Sequence, residues 1–302
     1  MLTILGPTAS GKTSLAARLA YDLNGEVISA DSRQVYKGMD IGTGKDYDDY
    51  IVFGKKISFH LIDIVDPGYE YNVFEYQQDF VKVYRDIIGR GKLPILCGGS
   101  GMYLEAVLRG YELKKIRNNH SFKRSLEFKT DEELKNMLKE LRTPHNVTDL
   151  IDRKRMIKAI EIASLDDTVE GKQEPIPSIN AKLFGIQFER ETLRNRITER
   201  LKTRLRNGMI DEVQSLMDKG LTASQLKFYG LEYRYITQFL EKELDFDSMF
   251  RLLNTAIHQF AKRQMTWFRR MERNGFNIHW IDGTLDVEMK IEMISILLEN
   301  RE

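Results

Sequence analysis

The chain has a single cysteine, Cys97. That excludes a disulfide framework and any zinc site built on cysteines, and points to a reducing compartment. Long apolar runs are missing too: none approaches the roughly 18 residues that a membrane span needs. The first apolar stretch begins one residue after Met1, leaving no room for a secretory leader. The expectation is a cytoplasmic protein without membrane association. There is no excess of either charge, since 46 Lys and Arg stand against 45 Asp and Glu. A net charge of +1 neither favours nor excludes nucleic acid, because an electrostatic footprint depends on where charges cluster. No internal repeat is present. What remains is a 302-residue chain, 42% hydrophobic, with ample material for a packed core.

Residues 2 to 5 (LTIL) form a short apolar run, a Gly-rich turn follows, and Leu15, Leu19 and Leu23 then recur every four residues as one helix face. The pattern returns: apolar runs span Val27 to Ala30 and Ile57 to Ile64, and Phe80, Val83, Tyr84, Ile87 and Ile88 have helical spacing. The run Leu93 to Cys97 ends in Gly98-Gly99-Ser100-Gly101. This alternation predicts a parallel sheet covered by helices. From residue 112 to 181 the sequence becomes charged and helical, closing in the turn-rich stretch Glu170 to Pro177. Residues 182 to 188 (KLFGIQF) resume a strand, a long helix starts near Glu191, and a last strand is expected around Asn277 to Ile281. The organisation read from this is a core of residues 1–111 and 182–302 interrupted by a helical insertion, 112–181.

Gly6-Pro7-Thr8-Ala9-Ser10-Gly11-Lys12-Thr13 fits G-x-x-x-x-G-K-[ST] between a predicted strand and a predicted helix. Glycines there let backbone N–H groups converge on phosphate oxygens, and the helix N-terminus adds positive potential. Lys12 neutralises charge, and the Thr13 hydroxyl can ligate Mg2+. The fold class is therefore α/β, a P-loop NTPase-like parallel sheet flanked by helices. Most such loops hold ATP or GTP. Here the companions of a nucleotide hydrolase or kinase are lacking: Leu93 to Cys97 runs into glycine rather than Asp, Ile62-Asp63 sits inside an apolar stretch, and no N-K-x-D reads guanine. The group held on the loop need not be a nucleotide.

The loop is followed in order by Ala30 to Thr43 (ADSRQVYKGMDIGT), His60 to Ile64 with Asp66-Pro67, Gly98 to Leu104 (GGSGMYL) and Ala261 to Arg269 (AKRQMTWFR). Together these resemble the tRNA dimethylallyltransferases, also called tRNA isopentenyltransferases. The resemblance implies dimethylallyl diphosphate as donor. It implies as acceptor the adenosine 3′ of the anticodon in tRNAs reading codons that begin with U. The exocyclic amine displaces pyrophosphate, whose growing charge the loop, Lys12 and a Thr13-held Mg2+ would neutralise.

Asp31 ends the second predicted strand, the edge where open α/β sheets place ligands. It resembles the family's general base, which takes the proton of the adenine amine; an isolated Asp after a strand is as readily a turn cap. Ser100 stands where the family usually carries Thr, and its hydroxyl can reach the diphosphate or the target nucleotide, or cap the following helix. Ser32, Arg33 and Gln34, which follow the base, fall under the same resemblance as residues facing the tRNA.

Between Arg190 and Arg206 lie seven basic residues and two acidic ones, with Arg196, Arg200 and Arg204 forming a stripe beside Leu193, Ile197, Leu201 and Leu205. Solvated faces are the ordinary meaning of such charge. Two further clusters exist, Lys114, Lys115, Arg117, Lys123, Arg124 and Lys129 in the insertion and Lys262, Arg263, Arg269, Arg270 and Arg273 near the end. Three clusters favour phosphate contact, with Lys123, Arg155, Arg196, Arg200 and Arg263 as candidates on a tRNA anticodon stem-loop. Trp267 and Trp280, with apolar neighbours, are expected in the core. A monomer is expected. An alternative acceptor is a free adenine nucleotide, and a P-loop kinase is the third reading.

Departures from the family are also present. Gly230-Leu231-Glu232 replaces the usual Gly-Tyr-Arg, so either Arg234 supplies the cation from a shifted position or its contribution is lost. His258 replaces an Arg, and Pro144 to Val147 replaces His-Pro-Asn-Asp.

Overall fold

The computed structural model describes residues 1–113, 120–141, 152–164 and 176–299. Strand β1 (Leu2–Leu5) is buried along its whole length, as apolar strands covered on both faces are. It leads into α1 (Lys12–Asp22), which buries Leu15, Ala16 and Leu19 against the sheet, and α1 leads into β2 (Gly25–Ala30). A single 3-10 turn, Tyr47–Tyr50, precedes a two-stranded hairpin of β3 (Ile51–Val52) and β4 (Lys55–Lys56). The apolar run at 57–64 becomes only a two-residue strand, β5 (Phe59–His60), because Leu61 and Asp63 take left-handed backbone conformations that end the pairing.

Helix α2 (Val73–Gly89) starts on a capping box between Asn72 and Glu75 and buries Tyr76, Phe80 and Ile87. Then come β6 (Leu93–Gly98) and α3 (Gly101–Leu108). After the insertion, β7 (Lys182–Gln187) is followed by α7 (Arg190–Arg206), α8 (Met209–Asp218), α9 (Ala223–Phe228), α10 (Leu231–Leu240) and the 28-residue α11 (Phe246–Arg273). Strand β8 (Ile278–Asp282) and α12 (Val287–Glu299) close the described chain. The six-stranded sheet has the order β5-β2-β6-β1-β7-β8, and every pair in it is parallel. The carboxyl ends of β1, β2 and β6 therefore lie together, at the edge that such sheets use for ligands.

The chain divides into two compact units, Met1–Tyr111 with Ile176–Glu302, and Glu112–Pro175. The first resumes at Ile176 rather than 182, because Ile176, Ile179 and Ala181 pack against its core and the amino terminus donates to Asn180 O at 3.1 Å. The second unit holds α4 (His120–Glu127), α5 (Asp131–Leu141) and α6 (Arg153–Ala163) around Leu126, Leu134, Leu138 and Ile160. Lys114, Lys115, Arg117, Pro144 to Val147 and the stretch 170–175 lie outside the described residues; of Lys123 only its place in α4 is described.

Candidate active site

The loop Gly6 to Gly11 turns from β1 into α1 with Ala9 at φ 63° and Gly11 at φ 76°. Gly11 tolerates that conformation freely, whereas Ala9 is held in it by its neighbours. Arg196 Nε donates to Ala9 O at 3.0 Å, and Arg200 donates to Thr8 Oγ1. Of the Arg stripe expected to face RNA, Arg196 is exposed yet reaches the loop through its Nε, Arg200 is half-buried and Arg204 is buried. Residues four apart share one helix face, and α7 lays that face over the phosphate loop. The third member, Arg204, is buried, pairs with Asp46 at 3.2 Å, and packs so tightly on Gly44 that any side chain there would collide with it. Burial pulls Arg200 down to about 10, with Arg204 adding to the effect; it remains a cation at neutral pH.

Lys12 Nζ lies 3.4 Å from Pro7 O, folded back over the loop. Burial lowers its ammonium, and the Asp31 carboxylate opposes that shift. Asp31 Oδ1 accepts from Arg33 N at 2.9 Å, a tight turn that fixes the carboxylate at the end of β2. Ser100 occupies the N-cap position of α3, but its hydroxyl makes no cap bond. It accepts instead from Ser32 N at 3.0 Å and so ties the β6 loop to the segment after Asp31. Gln34 bridges Ser29 Oγ and Gly44 O, each at 3.0 Å.

One cavity of about 480 Å³ is walled by the loop from Thr8 to Thr13, Asp31, Gln34, Arg196 and Arg200, while Ser100, Ser32 and Arg204 stand outside its lining. It also contains Asp46, Asp49, Cys97 and Glu199, which the sequence reading passed over. Burial raises Asp49 to about 6, with Asp46 adding to it, and pushes the Cys97 thiol up to about 12, so that thiol stays neutral. A cavity at a phosphate loop with three cations, Lys12, Arg196 and Arg200, and four carboxyl groups, Asp31, Asp46, Asp49 and Glu199, can seat a diphosphate against a proton acceptor. The hydroxyl of Thr13 and the carboxylates on the wall are hard oxygen donors of the kind Mg2+ takes, so the residues fit that ion.

Other expected residues lie apart from this cavity. Arg33 places its guanidinium 5.5 Å from the Phe228 ring centre, and the exposed Arg263 lies 5.9 Å from that of Phe260. Arg155 is exposed on α6 of the second unit. Arg234 is exposed on α10 and does not line the cavity, so it does not supply the missing cation from a shifted position. Glu232 does face this region: burial raises its carboxyl, opposed by Arg204 and Arg200. Trp267 and Trp280 pack against the core, with ring N–H groups on Glu105 at 3.0 Å and Glu272 at 2.8 Å. Asp63 accepts from Lys45 and Tyr47, and serves the loop rather than the phosphate site.

The family model described as "IPP transferase" matches residues 34–271, and that described as "Isopentenyl transferase" matches residues 1–60. The chain belongs to the IPP transferase family. It is 52% identical over 301 residues to a protein of Phocaeicola vulgatus named tRNA dimethylallyltransferase 2, covering 100% of this chain and 98% of the relative. It is 53% identical over 301 residues to tRNA dimethylallyltransferase 1 of Parabacteroides distasonis, with the same coverage. Among solved structures, the full-length tRNA isopentenylpyrophosphate transferase of Bacillus halodurans superimposes with a TM-score of 0.72 at 32% identity, over 98% of this chain and 94% of that one. A eukaryotic dimethylallyltransferase acting on tRNA shares the fold, with a TM-score of 0.79 at 22% identity, over 100% of this chain and 80% of that one.

Proposed function

We propose that this family member transfers a dimethylallyl group from dimethylallyl diphosphate to the exocyclic amine of the adenosine 3′ of the anticodon, in tRNAs reading codons that begin with U. The observation that carries the reading is the shared cavity: the phosphate loop and Asp31 line one wall-to-wall space. The amine lone pair attacks the primary allylic carbon, the carbon–oxygen bond to the diphosphate breaks, and the amine proton passes to Asp31. Lys12, Arg196, Arg200 and the loop N–H groups receive the charge that accumulates on the departing pyrophosphate. Ser100, held on Ser32, positions the segment that carries the base. Thr13 would hold Mg2+, which when bound supplies further neutralisation of the leaving group.

Arg33 and Gln34 beside the base, with Arg263 on α11 and Lys123 and Arg155 in the second unit, are the contacts proposed for the tRNA. Arg196 and Arg200 are better assigned to the diphosphate, since both already donate to its loop. The same reading has the enzyme acting as a cytoplasmic monomer. Incubation of the purified protein with dimethylallyl diphosphate and an anticodon stem-loop, followed by mass spectrometry of the nucleosides, should yield one dimethylallyl-adenosine per stem-loop. Absence of that nucleoside, with ATP consumed in the presence of a small acceptor, would instead mark a kinase.

A further inference from the structure

In a parallel sheet of this kind, β6 is the neighbour of β1, and its end reaches the phosphate loop: Cys97 Sγ lies 3.5 Å from Lys12 O. A thiol at this position is a poor partner for a hard divalent cation, which takes carboxylate, hydroxyl, phosphate and water oxygens. The carboxylate at the end of β2, Asp31, is engaged by Arg33 N and, in the proposed reaction, by the acceptor amine. The strand ends thus leave Thr13 without a dedicated carboxylate partner.

Asp49 stands in the 3-10 turn Tyr47–Tyr50, which packs against α1, and it lines the same cavity as Lys12, Thr13 and Cys97. Asp46, on the same wall, is paired with Arg204. The Asp49 carboxylate has no hydrogen bond or ion pair among the described residues. An unpaired carboxylate on the wall of an anion site repels the anion, unless a divalent cation stands between the two. We propose that Asp49, together with the Thr13 hydroxyl, holds the divalent cation that accompanies the diphosphate. The carboxylate therefore comes from the turn after the loop, not from a strand end. This assignment rests on the diphosphate reading of the cavity.

Inorganic pyrophosphate and Mn2+ are the probes. Calorimetric titration of pyrophosphate with and without Mn2+, and electron paramagnetic resonance of bound Mn2+, separate the two readings. Failure of the unaltered protein to bind pyrophosphate under either condition defeats the diphosphate reading itself. Where pyrophosphate binds, Asp49→Asn should lower Mn2+ affinity of the pyrophosphate complex roughly tenfold or more. Its metal-free pyrophosphate affinity should be unchanged or tighter, because a repelling charge has gone. Asp49→Glu, which keeps a carboxylate on the same turn, should retain Mn2+ binding within a few-fold. Unchanged Mn2+ affinity in Asp49→Asn overturns the proposal. So does an equal loss of pyrophosphate affinity with and without metal, since that marks Asp49 as part of the packing of the turn.

Discussion

Gln264, on α11, accepts from Thr8 N at 2.8 Å through Oε1 and donates to Gly99 O at 2.9 Å through Nε2. One buried carboxamide therefore links the phosphate loop to the loop after β6. Gly99 is required for this link, because a methyl group there would meet Gln264 Nε2 at 2.4 Å. Gln264→Leu leaves a backbone donor and a backbone acceptor unpaired, at a cost of about 1–3 kcal/mol for each group that stays buried. The expected outcome is a lower Tm together with a raised KM for dimethylallyl diphosphate. A Tm equal to that of the unaltered protein would show that solvent replaces the carboxamide freely.

Lys12→Ala should lower turnover by roughly a hundredfold to a thousandfold, because removing one charged contact from a leaving-group site typically costs about 3–4 kcal/mol in the transition state. Lys12 donates to Pro7 O at 3.4 Å, so its removal also loosens the loop. Rapid-quench measurement of prenyl transfer at saturating substrate is the check, and a near-normal rate would remove Lys12 from the mechanism.

Asp31→Asn separates base chemistry from structure, because asparagine can still accept from Arg33 N and preserve the turn. Turnover should fall roughly a hundredfold or more, the usual contribution of a general base. Affinity for tRNA should stay near normal. Unchanged single-turnover rates would reduce Asp31 to the turn cap that its geometry also makes it.

At the opposite end of β2, Glu26 is buried and accepts from Arg90 at 2.6 and 2.8 Å, from Lys92 at 2.6 Å, and meets His60 Nε2 at 2.7 Å. Hydrogen bonds from Arg90 hold its carboxyl well below the usual range, against the opposing effect of burial. A depressed folded-state value contributes stability above the ordinary carboxyl value of 4.5, and that contribution is lost as pH falls from there toward the folded value. Glu26→Gln should therefore lower Tm at pH 7, by roughly 1–3 kcal/mol of stability, and flatten its fall between about pH 5 and 3. Parallel melting curves for the two proteins across that window would show the cluster to be energetically silent.

Where the sequence could be read, the signal was local. The phosphate loop is eight consecutive residues between an apolar run and a helical repeat, and Asp31 directly follows a strand, so both positions are legible as candidates without tertiary information. Gln264 lies 256 residues from Thr8, and Arg196 and Arg200 lie 187 and 192 residues from their loop partners. Helical spacing showed that the three arginines share a face, but not that the face turns toward the loop. Charge on a helix usually means solvent, and only packing of α7 over the loop reverses that meaning. Asp46 and Asp49 sit in a segment without periodicity, and Lys45, buried among Asp40, Asp63 and Tyr36 O, has no pattern to announce it.

The acceptor supplies the most discriminating prediction: an anticodon stem-loop with three consecutive adenosines should be prenylated, and free AMP should not be, at measurable rates. Two of the arginines that suggested RNA binding, Arg196 and Arg200, donate to the loop after β1, which weakens one of the three basic clusters. Exposed cations remain on α11, at Lys262, Arg263 and Arg269, and on α6, at Arg155, whereas Arg270 is engaged by Glu105 and the Trp267 ring. A mononucleotide needs a few cations around one phosphate, whereas a stem-loop offers a row of phosphates that a line of cations neutralises together. Glu232 is the contrary signal, because a half-buried carboxylate facing Arg200 and Arg204 would repel a phosphate backbone near the base. Release of counterions should make stem-loop activity at subsaturating RNA fall steeply, by at least tenfold between about 50 and 200 mM salt. Arg263→Ala should reduce that salt slope and raise KM for the stem-loop without changing kcat. Comparable turnover on AMP, or stem-loop activity indifferent to salt, would shift the assignment to a free adenine nucleotide as acceptor.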